Sequence, residues 1–230
     1  MQKPGVLKIG LLINPIAGMG GKVGLHGTDD SLAERAKELG AKSISTERAA
    51  RAIKALLPQV EKISFYVSSK TMGADLLQSF NIDCQTIYET GSRETSSEDT
   101  KAAALAFQEH GVDLILFAGG DGTARDIFSV VGESIPILGI PAGVKMRSGV
   151  FANYPEEAAA IVLEAIASIE SGKELKFANT EILDLTDSQL DYSQSHYFGS
   201  AKTFSAPSKI TSPKVNSNAS SDVALAELAK

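Results

Sequence analysis

The sequence has one cysteine, Cys84, three histidines (His26, His110 and His196) and no tryptophan. A single thiol closes no intramolecular disulfide, and histidines this far apart match no ligand spacing of a zinc site. A basic surplus is also missing: 22 Lys and Arg against 28 Asp and Glu leave a formal charge of −6. No excess cationic charge is there to neutralise a phosphodiester backbone, so nucleic acid is not expected as a partner. No apolar run approaches the roughly 18 residues that a membrane span needs. Residues 1–5 lead into an apolar patch too short for a secretory leader with a cleavage site. The expectation is a cytoplasmic protein with no membrane partner.

What is present is ordinary for a globular chain: 230 residues, 43% hydrophobic and 22% charged, enough for one large core. Short apolar runs alternate with stretches of helical periodicity, the pattern of a parallel sheet flanked by helices. Strands are expected over 7–13, 62–67, 84–88, 112–118 and 135–140, and helices over 31–39, 47–57, 72–79, 124–131 and 155–171. Thr95-Ser96-Ser97-Glu98 has capping-box spacing and opens a further helix that ends before Gly111. Pro155 suits a first helical position and Gly172 a helix end. The pattern predicts an α/β, Rossmann-like domain over 1–178. Residues 179–230 are expected to begin an incomplete β-rich domain and to end in a serine-rich tail that cannot offset its ordering entropy.

Three loops carry residues suited to chemistry. Gly119-Gly120-Asp121-Gly122-Thr123 follows a buried strand, and its glycines let backbone amides approach a ligand closely at a helix start. Phosphate is the natural ligand of such a turn. A carboxylate beside phosphate is repelled unless it meets a cation or takes a proton from an attacking hydroxyl, which singles out Asp121; the competing reading is a helix cap. Asn14-Pro15-Ile16-Ala17-Gly18-Met19-Gly20-Gly21-Lys22 is a second glycine-rich loop at a strand's carboxyl end, with the spacing of neither the Walker A loop nor the dinucleotide fingerprint. It reads equally well as a plain surface loop. The third, 141–148, offers Gly143 for close approach and Lys145 and Arg147 as counter-charges, or as ordinary solvated cations. Cys84, in an apolar strand with no basic neighbour, reads as a core side chain, and His26 as a loop residue.

Together the Asn14–Gly21 loop, Gly119–Thr123 with Ala124-Arg125-Asp126, and Gly139-Ile140-Pro141-Ala142-Gly143-Val144-Lys145-Met146 resemble the ATP-NAD kinase family, within the superfamily of diacylglycerol and sphingosine kinases. Gly24-Leu25-His26-Gly27-Thr28-Asp29 is also similar to that branch. The likeness covers roughly residues 6–187. It implies transfer of a phosphoryl group from ATP or polyphosphate, with Mg²⁺, to the 2′-hydroxyl of NAD. It implies Asp121 as the base, and Asn14, Gly18, Gly20, Gly119, Gly120, Gly122, Thr123 and Lys145 as nucleotide contacts. NAD and ATP are the implied partners, and relatives are commonly homo-oligomers. Family members continue through a complete β-sandwich, and their Asn-Glu pair for the NAD ribose has no match here, so this chain is expected to be C-terminally truncated. Two other readings stay open: a nucleotide-binding fragment without turnover, and a kinase for another hydroxyl such as a lipid's. The Pro-Ala-Gly-Val-Lys-Met loop argues against lipid.

Overall fold

A computed structural model describes residues 6–18, 44–91, 95–143, 146–185, 195–206 and 208–211. The helix expected at 31–39, the segment around His26, the tail beyond 211, Gly20 and Lys145 lie outside the described residues.

Five short apolar segments form one parallel sheet: β1 (Leu7–Ile13), β2 (Ile63–Ser68), β3 (Cys84–Tyr88), β4 (Leu114–Gly119) and β5 (Ile137–Pro141), in the order β3-β2-β1-β4-β5. β4 and β5 are buried at every position, which is why they read as unbroken apolar runs. The helices are α1 (Ser45–Leu56), α2 (Ala74–Ser79), α3 (Ser97–Glu109), α4 (Asp121–Val131) and α5 (Pro155–Glu170). α1 and α5 cover one face with Ala52, Ile53, Leu56, Ile161 and Val162. α3 and α4 cover the other with Ala103, Phe107, Ala124 and Ile127. Alternate strand residues feed the two layers: Leu116 and Ile140 go to the first, Ile115 and Ile137 to the second. Cys84 packs at the edge of the first core, and burial raises its thiol pKa, helped by Asp83. Among the described residues no helix is long and apolar enough to cross a membrane.

The chain runs from β1 outward to β2 and β3, then returns to place β4 on the other side of β1. The carboxyl ends of β1 and β4 therefore flank the point where strand order reverses, the crevice in which open α/β sheets bind ligands.

After α5 the sheet order ends, and β6 (Phe177–Leu185) pairs antiparallel with β7 (Ser195–Phe204). This hairpin packs into the same core: Ile182 and Ala201 join the layer of α4, and a Cβ on Gly199 would stand 2.3 Å from the Phe128 ring. Two expectations need correction. α4 starts at Asp121 and not near 124, because the glycines that suggest a loop sit in its N-cap and first turn. The capping box of α3 joins Ser96 and Asp99, not Thr95 and Glu98. The Tyr88 hydroxyl donates to Asp99 at 2.8 Å and fixes that choice, while Glu98 pairs with Lys101 in solvent.

Candidate active site

Three loops meet at the crevice. β1 ends at Ile13, and Asn14 continues its ladder by donating its N–H to the Ala118 carbonyl at 2.9 Å. The Asn14 side chain then works in both directions. Its Nδ2 donates to Thr123 Oγ1 at 2.9 Å, and its Oδ1 accepts from the Ile16 amide at 3.1 Å, turning the loop. Gly18 sits at φ +79°, and a Cβ there would meet the Ala142 carbonyl oxygen at 2.2 Å, so the β1 loop lies directly on the β5 loop. Gly120 and Gly143 face each other: a Cβ on Gly143 would stand 3.5 Å from the Gly120 Cα. Asn14, Gly18, Gly119, Gly120, Asp121, Gly122 and Thr123 are thus brought to one edge of the sheet.

Gly119 and Thr123 show why the motif has its composition. A Cβ on Gly119 would lie 2.6 Å from the Thr123 Cβ, so only glycine lets the first turn of α4 fold back on β4. Gly120 takes an extended conformation as N-cap and accepts the Ala124 amide at 3.1 Å. The first-turn amides of α4, which have no partner within the helix, then open at the carboxyl end of the sheet with the positive end of the helix dipole.

Asp121 does not cap that helix. Its carboxylate points to the loop after β5, where Oδ2 accepts the Arg147 amide at 2.8 Å and Oδ1 the Ser148 amide at 2.9 Å. The residue is 9% exposed. Burial raises its pKa above the ordinary carboxylate value, and the Ser148 and Arg147 contacts offset this only in part. A carboxylate held on two amides, with its affinity for protons raised, is suited to accept a proton at a fixed place.

The signals that sequence reasoning missed are tertiary. Ser148 was legible only as the end of a loop, yet it is fully buried and joins the site to β6. Arg125, four residues along α4 from Asp121, pairs with Asp184 of β6 at 2.8 Å, contacts Asp126 at 3.3 Å and lies over the Phe198 ring. The Arg-Asp run after the glycine motif was the available signal for Arg125; nothing local marked Asp184.

A family model described as ATP-NAD kinase N-terminal domain matches residues 9–170, which span the five-stranded sheet apart from the first two residues of β1, and all three loops. The chain belongs to the ATP-NAD kinase family. No curated protein matches it. Members of the ATP-NAD kinase family are kinase-type enzymes with nucleotide substrates such as NAD and ATP. The β6–β7 hairpin lies beyond the matched residues, yet its Leu183 holds the Ser148 hydroxyl and its Asp184 pairs with Arg125.

Proposed function

We propose that the chain transfers the terminal phosphoryl group of Mg–ATP or polyphosphate to the 2′-hydroxyl of NAD, with Asp121 as the base. The observation that carries this reading is the buried Asp121 carboxylate, fixed on the Arg147 and Ser148 amides beside a glycine-lined helix N-terminus. Gly119, Gly120, Gly122 and Thr123 would bring the α4 amides to the donor's phosphates, with Gly18, Gly20 and Lys145 contributing from the other two loops. Asn14 would act by holding Thr123 in place.

A secondary hydroxyl is a poor nucleophile, and phosphoryl transfer is mostly positioning and charge neutralisation. The hydroxyl proton passes to an Asp121 oxygen as the hydroxyl oxygen attacks the terminal phosphorus. The bond to the departing phosphate oxygen breaks, and its electron pair leaves with ADP or the shortened polyphosphate. The divalent cation belongs to the substrate: it arrives on the phosphates, and among the described residues no group of three His, Cys, Asp or Glu forms a cage for it. Asp121 then serves as proton acceptor, a role its raised proton affinity supports. A homo-oligomer and a cytoplasmic location accompany this reading as proposals.

The test is NADP formation from NAD by the whole chain with Mg²⁺ and either donor, beside Asp121→Asn. Turnover in the wild type and its loss in a folded Asp121→Asn is the expected result. Retained turnover in that variant removes Asp121 from the chemistry, and nucleotide binding without turnover in the wild type favours a binding fragment.

A further inference from the structure

Both oxygens of Asp121 are held by consecutive amides of one loop, so whatever fixes that loop fixes the carboxylate. Ser148 is 0% exposed. Its amide holds Asp121 Oδ1, while its hydroxyl donates to the Leu183 carbonyl at 2.9 Å and accepts the Leu183 amide at 3.0 Å. One side chain thus takes the place of a strand residue on the edge of β6 that β7 leaves open, next to the register shift between Ile182 and Leu183. Beside it the Gly149 amide donates to the Glu181 carbonyl at 3.0 Å, continuing the same ladder. On the far side Arg125, one helical turn beyond Asp121, ties Asp184, the residue after Leu183, back to α4. The path Asp121–Ser148–Leu183–Asp184–Arg125 closes on the helix where it began.

We propose that Ser148 is a positioning residue for Asp121: its hydroxyl anchors the loop on β6, and the anchored amide sets where the carboxylate points. The proposal rests on the reading of Asp121 as the base. The Ser148 hydroxyl bonds both backbone groups of Leu183, and the same side chain lies against the Asp121 carboxyl, where it favours the ionised form. Its loss frees the loop to shift, and misplacement of a reacting group by about 1 Å costs on the order of 100-fold in rate. The substrate contacts of the glycine turn remain untouched, so the effect falls on kcat and not on the KM for the donor.

The experiment compares wild type, Ser148→Ala and Ser148→Cys in two ways. The first is titration of the Asp121 side-chain carboxyl by ¹³C NMR, which needs no turnover. The second is kcat and KM for NAD phosphorylation with Mg–ATP across pH. Among the described residues Arg147 in the loop is the charge that acts on Asp121, with Arg125 and Asp126 on α4 and Asp184 on β6 paired alongside, and neither substitution replaces any of them. With Ser148→Ala the Asp121 titration should move to higher pH, because the contacts that favour its ionised form weaken. The acid limb of kcat should move with it, and kcat should fall roughly 10- to 100-fold at nearly constant donor KM. Ser148→Cys keeps the size and bonds only weakly, so it should move both readouts the same way and decides the matter if Ser148→Ala does not fold. An unmoved Asp121 titration overturns the proposal, as does a kcat lowered equally at every pH. Full activity in Asp121→Asn brings down the base instead, and the NMR titration still reports whether Ser148 positions that carboxylate.

Discussion

The Asn14 side-chain amide donates to the Thr123 hydroxyl at 2.9 Å, joining the end of β1 to the first turn of α4 across the point where strand order reverses. Thr123 is buried, so removing its partner leaves a desolvated oxygen, and the Ile16 amide loses its acceptor as well. Asn14→Ala should therefore cost about 1–3 kcal/mol of stability. Urea denaturation checks this, and a midpoint equal to wild type would show the bond to be dispensable.

Two glycines three residues apart should answer substitution in opposite ways. Gly119→Ala forces a methyl to within 2.6 Å of the Thr123 Cβ, an atom next to the helix backbone that cannot swing aside. It should destabilise by about 1–3 kcal/mol. A Cβ on Gly122 meets nothing closer than the Asp184 Oδ2 at 3.7 Å, and alanine is the better helix former. Gly122→Ala should raise stability by up to about 1 kcal/mol. A fall in turnover at that raised stability would mark Gly122 as a glycine kept for ligand approach. Thermal melts and initial rates on the same samples separate the two effects.

These residues also show what the sequence could reveal. β1 and β3 were legible to the residue because each is a short run rich in apolar and β-branched residues between turn signals. The start of α4 was not, since glycine as a breaker and glycine as a close-approach residue look alike until Thr123 is seen folded against Gly119. Two overlapping capping patterns at 95–98 and 96–99 were equally good locally, and a hydroxyl from β3 decided between them. The site loops were visible through their glycines and their places after apolar strands. The partners of Asp121 lie 26 and 27 residues away and those of Arg125 reach 59, separations at which no periodicity or spacing carries a signal.

The Arg125–Asp184 pair, with side chains 33% and 16% exposed, should act as a fastener between α4 and the hairpin. A double-mutant cycle of Arg125→Met and Asp184→Asn should give a coupling of about 1–3 kcal/mol. Because the pair is partly sheltered, the coupling should persist at high salt, where a solvent-exposed pair would be screened. A coupling near zero in low salt would leave the attachment of the hairpin to the packing of Ile182, Ala201 and Gly199 and to the Ser148 and Gly149 bonds along β6.

Asp121 should lower stability as pH rises. Its folded pKa lies above the ordinary carboxylate value because burial outweighs the two amide bonds. In the unfolded chain the same group ionises near about pH 4. Below that pH both states hold the proton and the carboxyl carries no penalty. As pH rises the unfolded state ionises first, so the contribution to stability falls until the folded carboxyl ionises, and it is constant thereafter. Asp121→Asn cannot ionise, and its amide leaves one of the Arg147 and Ser148 N–H groups without an acceptor, a cost independent of pH. The difference in Tm, wild type minus Asp121→Asn, should accordingly decline as pH rises above about 4 and level off once the folded carboxyl is ionised. A difference that stays flat, or grows with pH, would mean that the amides hold the ionised carboxylate more tightly than burial repels it, and the base would then start from an ordinary or depressed proton affinity.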